Sequence, residues 1–326
     1  MKTVIKSICA ALVALTLLPG APAANGEREL EYLFASLTGT GVNGGGSVYR
    51  YTSGGVQSTI AADISRPHGM ALDHFANLFV ASTTLNGTSY QGTILKITPL
   101  GVRSSFASVE GSNLFLVGLA IDGSDNVFVM ALTFGQNFAS IIYKFTPSGI
   151  QTTFGSIPGP SQSFGLAFDE ADNLLAADTF NRTIFKFAPD GTRTVFVGPS
   201  AFEPETGPAG LAFDRSGNLF VSTESEPPLI RNDTILKFTP EGVKSTFATG
   251  LTYPRGLAFD RSGNLFVADV NGTGLGEILK FTPDGNRSVF AVVPVPSNTD
   301  PQFLAFQLLP TARPRPSPHP RPLVQP

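Results

Sequence analysis

From Gly256 to Gly285 apolar and polar residues alternate in four short runs broken by turn residues. Leu257-Ala-Phe259 meets the turn Asp260-Arg-Ser-Gly263, and Asn264-Leu-Phe-Val-Ala268 ends at Asp269 before a Gly-rich loop. Glu277-Ile-Leu-Lys-Phe281 meets Pro283-Asp-Gly285, and Asn286-Arg-Ser-Val-Phe290 follows. Period-two runs between tight turns predict one antiparallel sheet of four strands. A lone sheet of this size leaves both faces open to water, so it has to be stacked on copies of itself.

The copies are in the chain. The aspartate closing the first strand recurs at Asp73, Asp122, Asp169, Asp214 and Asp260, with Gln307 at the sixth equivalent position, 45 to 49 residues apart. Four strands per unit at that period predict an all-β fold, a six-bladed β-propeller. The repeat starts out of phase. Tyr32-Leu-Phe-Ala-Ser36 matches the second strand Leu265–Asp269, while the matching first strand, Phe303-Leu-Ala-Phe306, lies at the far end of the sequence. Three strands from one end plus one from the other would complete a composite blade and leave no open edge in the ring.

Third strands carry a recurrent lysine, as in Thr93-Ile-Leu-Lys-Ile97 and Thr234-Ile-Leu-Lys-Phe238, with Arg50 in the composite blade. Six equivalent cations cannot serve one site, so they are expected to snorkel over the outer blades and stay solvated. The turn aspartates are expected to bond their own turn backbone rather than calcium. Phe213, Phe220, Phe238 and Phe247 sit at fixed repeat positions and read as core. A small residue recurs in each first strand (Ala71, Ala120, Ala167, Ala212, Ala258, Ala305), as crowding near an axis demands.

The ends differ in kind. Residues 1–23 combine Lys2 and Lys6, an apolar run from Ile8 to Leu18 and Ala21-Pro-Ala23, the pattern of a secretory signal too short to span a bilayer. The one cysteine, Cys9, falls near the start of that run, which argues against a lipid anchor and leaves the remainder without thiol or disulfide. Residues 24–309 form one propeller domain, and residues 310–326 a Pro/Arg-rich tail in which alternating proline forbids helix and ladder. That tail reads either as plain or as a tether to a polyanion. Secretion, outside the cell or into a periplasm, is the expected location.

Charge narrows the partners. Net charge is −3, and more negative once Lys2 and Lys6 and the tail arginines Arg313, Arg315 and Arg321 are set aside, a poor match for nucleic acid. There is no expected membrane span. Gly44-Gly-Gly46 has no helix after it and so is no phosphate cradle, and no nucleophile elbow, P-loop or dinucleotide fingerprint occurs. Asn-x-Ser/Thr sequons stand at Asn86, Asn181, Asn232, Asn271 and Asn286.

Antiparallel order puts the short, uniform turns on one face of the disc and the variable loops on the other. Asp178-Thr-Phe-Asn-Arg182 compares with the far longer stretch from Ser222 to Asp233. Binding belongs where loops vary on a fixed scaffold, hence on the long-loop face.

The segments GLAFDRSGNLFVAD (256–269) and AADTFNRTIFKFAPDG (176–191) resemble NHL repeats, and the likeness runs from Arg66 to Val292. Related gluconolactonase and senescence-marker propellers share the six-bladed layout. In lactonase-like enzymes the resemblance implies a divalent metal near the axis, held by carboxylates and amides just before first strands, and in amidating-lyase relatives it implies histidines there. The matching positions here are His68, Val117, Phe164, Ala209, Arg255 and Gln302. One imidazole and one amide among apolar residues and an arginine do not compose a calcium or zinc shell, so no metal and no cofactor is expected.

His68 and Arg255 read in two ways: as an anion site or a general base with an oxyanion donor, or as a loop histidine bonded to backbone and an arginine paired with a nearby carboxylate. The first reading has a ligand carboxylate on Arg255 with its stem against Val117 and Phe164. The functional expectation is a binding or scaffold module whose long-loop face takes a protein, peptide, glycan or small anionic ligand. The alternative is a lactonase-like hydrolase or lyase with an atypical axial site.

Overall fold

The computed structural model describes residues 31–39, 45–109, 111, 113–133, 138–225, 233–270, 275–293 and 301–307. The signal and tail readings, and the sequons at Asn232 and Asn271, lie outside them. Within them, twenty-four strands form six four-stranded antiparallel sheets, with one short 3-10 turn at Pro199–Ala201. Each sheet is a blade, and the first strands of neighbouring blades touch in a closed ring, Pro301–Gln307 against Pro67–Leu72 included. The protein is a six-bladed β-propeller. No helix among the described residues is long and apolar enough to cross a membrane.

The composite blade is built as the phase shift predicts. Pro301–Gln307 pairs antiparallel with Tyr32–Leu37, Phe306 opposite Leu33 and Phe303 opposite Ser36, followed by Gly45–Thr52 and Gln57–Ser65. Blades two to six then follow in chain order, their first strands being Pro67–Leu72, Leu114–Ile121, Ser163–Phe168, Thr206–Phe213 and Leu257–Phe259.

Blades stack through aromatic edges. Phe220 of blade five meets Phe259 of blade six at 4.9 Å between centroids, and Phe266 of blade six meets Phe306 of the composite blade at 4.9 Å, both edge-on. Phe220 and Phe238 are buried, while Phe213 and Phe247 pack partly buried against the same interblade clusters. Such contacts contribute about 1 kcal/mol each beyond the burial itself.

On the short-turn face every first-strand aspartate closes its own turn. Asp260 accepts from the Asn264 backbone at 2.8 Å and side chain at 2.6 Å, and Asp73, Asp122, Asp169 and Asp214 do the same to the asparagine four residues on. The lysines are less solvated than their exposed register suggested. Lys186 bonds Asp169 at 2.9 Å, and Lys96, Lys144 and Lys237 stand 3.9 Å from Asp73, Asp122 and Asp214. The cross-strand phenylalanine explains it: Lys96 pairs opposite Phe79 and lies 5.3 Å over its ring, and Lys237 repeats this on Phe220. At Lys96, Lys144 and Lys237 the cation is a clip between turn and ring, whereas Lys186 faces Leu175 and holds the turn alone.

Candidate functional site

The residues before the first-strand glycines are set by the way the inner strands approach. A Cβ built on Gly69 would collide with the Val117 carbonyl, on Gly118 with that of Phe164, on Gly165 with that of Ala209, and on Gly210 with that of Arg255. Only glycine lets one backbone lie on the next at this level. Each glycine is thus seated against the mouth residue of the following blade, which spaces that ring of residues around the axis.

Their side chains do not share one fate. His68, Phe164 and Arg255 line a cavity of about 470 Å³ on the long-loop face. Gln302 joins them through Arg255, whose Nη1 donates to its Oε1 at 2.5 Å. Val117 and Ala209 are buried in the wall between strands and are not among the residues lining the cavity. The remaining wall is largely apolar: Phe115, Leu132, Phe138 and Phe180, with Pro160, Ser161 and Gln162 along one side. Phe138 and Phe180 are half exposed, at 49% and 50%, an unusual outlay of aromatic surface unless something covers it.

Arg255 is already occupied. Its Nη2 lies 3.1 Å from Glu224 Oε1 and also donates to the Tyr253 hydroxyl, and its guanidinium lies over the rings of Tyr253 at 4.3 Å and Phe164 at 5.1 Å. Its Nε, buried, has no hydrogen-bond partner among the described residues. The pairing of Arg255 with a nearby carboxylate is thus the reading the structure bears out: Glu224, near the end of Leu219–Ser225, supplies it, so the arginine lining the cavity is half of a neutralised pair rather than a free cation.

His68 is on the strand Pro67–Leu72, not in a loop. It is buried, with its ring edge-on to Phe115 at 5.0 Å. Burial, then the positive charges of Arg255 and Arg66, push its pKa down to about 3, so the imidazole is neutral at physiological pH. Among the described residues its Nδ1 has no hydrogen-bond partner, an unmet polar atom beside an apolar cavity.

Two buried carboxylates shape the rim. Asp269 accepts from the backbone N–H of Tyr253 at 2.7 Å and of Thr252 at 3.3 Å, which fixes the segment that carries Arg255. Asp178 accepts from Gln162 N at 3.2 Å and from the Asn181 side chain at 2.7 Å, and Asn181 also donates to Pro160 O at 2.9 Å. Burial raises both carboxyls above the ordinary aspartate range, against the lowering effect of these bonds. The Asn181 sequon thus has its amide in use.

The donor set does not suit a metal. Near the mouth stand one weakly basic imidazole, the Gln302 amide and Glu224 carboxylate already bonded to Arg255, and the Gln162 amide, and among the described residues no group of three or more His, Cys, Asp or Glu gathers anywhere. A larger hollow of about 590 Å³ on the short-turn face lies between blades five and six, but Phe213, Asp214, Phe220, Lys237, Phe259 and Asp260 are repeat residues already engaged in holding the blades. Glu224, Tyr253, Phe115, Phe138 and Phe180 are additions that the sequence did not single out. Their common signal is that each departs from the repeat consensus on the long-loop side.

No protein-family model matches the chain, and no curated protein matches it by sequence. Solved structures do. A virginiamycin B lyase from Staphylococcus aureus is similar at 18% identity and TM-score 0.54, over 73% of each chain. A streptogramin B lyase is similar at 17% and 0.53, over 82% of this chain and 75% of that one. A putative gluconolactonase is similar at 14% and 0.57, over 82% of this chain and 95% of that one. The S. aureus lyase also matches as a catalytically inactive histidine-to-alanine variant with quinupristin. At such identities the likeness is one of fold.

Proposed function

We propose that the protein is a secreted binding module whose long-loop face takes an uncharged, mainly apolar or aromatic group into the axial mouth, as a small molecule or as a side chain of a peptide or protein. One observation carries this reading: a cavity walled by Phe115, Phe138, Phe164 and Phe180 has at its floor a neutral His68 with an unpartnered Nδ1 and an Arg255 already neutralised by Glu224. Pockets of this kind bind by apolar area and orient by one or two polar contacts. An anionic ligand would meet an arginine whose charge Glu224 already balances and lose much of its gain. The secretion part rests on the leader-like residues 1–23.

The test is titration calorimetry of the full chain with 4-ethylphenol and with 3-phenylpropionate. The phenol should bind, weaken at least fivefold in F180A and H68A, and exceed the carboxylate. Tenfold preference for the carboxylate would return the site to anion recognition.

A second reading, a lyase or hydrolase, draws on the fold neighbours and on His68 in the cavity. Against it stands the basicity of His68: an imidazole with a pKa of about 3 is a weak general base at neutral pH. Turnover of a streptogramin B or an aldonolactone by wild type, lost in H68A, would put the enzyme first.

A further inference from the structure

The composite blade breaks the glycine rule. At the level where blades two to six have Gly69, Gly118, Gly165, Gly210 and Gly256, it has Phe303. Below the mouth lies a second, axial cavity of about 360 Å³, lined by first-strand residues from the glycine level onward, among them Gly165, Gly210, Gly256 and Phe303. Among the described residues the two cavities share no lining residue. His68 lines the mouth cavity, Phe303 lines the axial one, and their rings meet edge-on with centroids 6.4 Å apart.

The ring is held from behind. Phe303 N donates to Ser36 Oγ at 3.3 Å, and Ser36 Oγ donates to the His68 carbonyl at 2.8 Å, which stitches the composite blade to blade two at this level. The five glycines present no side chain at this level and lie against the next blade's backbone, so Phe303 is the one first-strand side chain there beside the axial cavity.

We infer that Phe303 is a plug that separates the mouth from the axial cavity and limits the length of ligand the mouth accepts. This rests on the mouth being the binding site. A ligand tail that reaches the floor meets the His68–Phe303 pair and stops; with the ring removed it would continue down the axis between the glycines.

The experiment measures 4-alkylphenols from ethyl to octyl against the full chain and its F303A and F303L variants, with thermal melts to confirm folding. Wild-type and F303L affinity should rise and then level or fall at the same short chain. F303A should keep gaining, about fourfold for each further methylene buried. Crystal structures of wild type and F303A give a readout that needs no ligand: the two cavities should become continuous in the variant. An unchanged chain-length optimum in F303A, or cavities that stay separate, would overturn the plug. If wild type binds no alkylphenol, the mouth fails as the site, and the crystal structures still decide whether Phe303 divides the axis.

Discussion

Replacing Gly210 by alanine tests the closest contact in the ring. The added Cβ would fall inside the Arg255 carbonyl oxygen and within 2.9 Å of Ser222 Oγ, so the first strands of blades five and six must separate. That separation opens a two-bond seam: Gly210 N donates to Ser222 Oγ at 2.8 Å, and Ser222 Oγ donates to Arg255 O at 3.0 Å. Overpacking of this kind costs about 1–3 kcal/mol, and each lost hydrogen bond about 1 kcal/mol. The expected loss is therefore roughly 3–5 kcal/mol, a large share of the roughly 5–15 kcal/mol typical of a folded domain. Gly242 is the control. It sits in a turn at φ +84° with nothing within 4 Å of its Cβ, so G242A carries only left-handed strain of about 1–2 kcal/mol. Equilibrium urea unfolding followed by far-UV circular dichroism should show G210A well below G242A. Equal midpoints would refute the argument that close backbone approach, rather than backbone freedom, places glycine in the ring.

Three other outcomes are expected. Because the folded pKa of His68 lies near 3 against 6.5 in the unfolded chain, the unfolded state takes up a proton that the fold refuses, and stability is lost as pH falls through that window. The stability of wild type relative to H68Q should drop by about 3 kcal/mol between pH 7 and pH 4, and parallel curves would remove the buried neutral histidine. A chain ending at Pro301 should lose cooperative melting, since it strips Tyr32–Leu37 of its partner strand, whereas one lacking only Thr311 to Pro326 should melt like the full chain; identical melts would disprove the composite closure. Ala76 holds φ 60° in the turn where blades five and six use Gly217 and Gly263, so A76G should stabilise by about 1 kcal/mol, read as a higher melting temperature.

The fold was legible because a propeller writes its architecture many times over. Alternation, turn residues and the recurrent aspartate each repeat five or six times, so no single ambiguous run could mislead, and the phase shift at Tyr32 implied the pairing with Phe303–Phe306 that the register shows. What the pattern did not carry is contact between repeats. The clip at Lys96 depends on Phe79 across the ladder and Asp73 at the turn, and the expectation of a solvated cation came from reading one strand at a time.

The ring of positions was legible, but which of its side chains line the cavity (His68, Phe164 and Arg255) and what charge they carry were not, for a related reason. Position one residue before the first-strand glycine is a geometric address, and all six addresses fall around the axis whatever residue stands there. Charge balance is different, because it depends on loops that no periodicity constrains. Arg255 meets Glu224 from the second strand of blade five and Gln302 from the composite blade, partners 31 and 47 positions away that come together only when the ring closes. Sequence alone shows an arginine facing the mouth and leaves open whether a ligand or a carboxylate of the chain answers it. Folding supplies the anion internally, places Phe164 and Tyr253 against the guanidinium, and leaves His68 uncharged beside it. Removing Glu224 should accordingly do what no ligand-side change can. E224A leaves a half-buried cation in an aromatic cleft, so it should destabilise the fold by about 2–3 kcal/mol and at the same time turn the mouth towards carboxylates. Calorimetry with 3-phenylpropionate before and after the substitution reads the second effect directly, and a carboxylate affinity that does not rise would mean that the Glu224–Arg255 pair is not what sets the charge preference of the site.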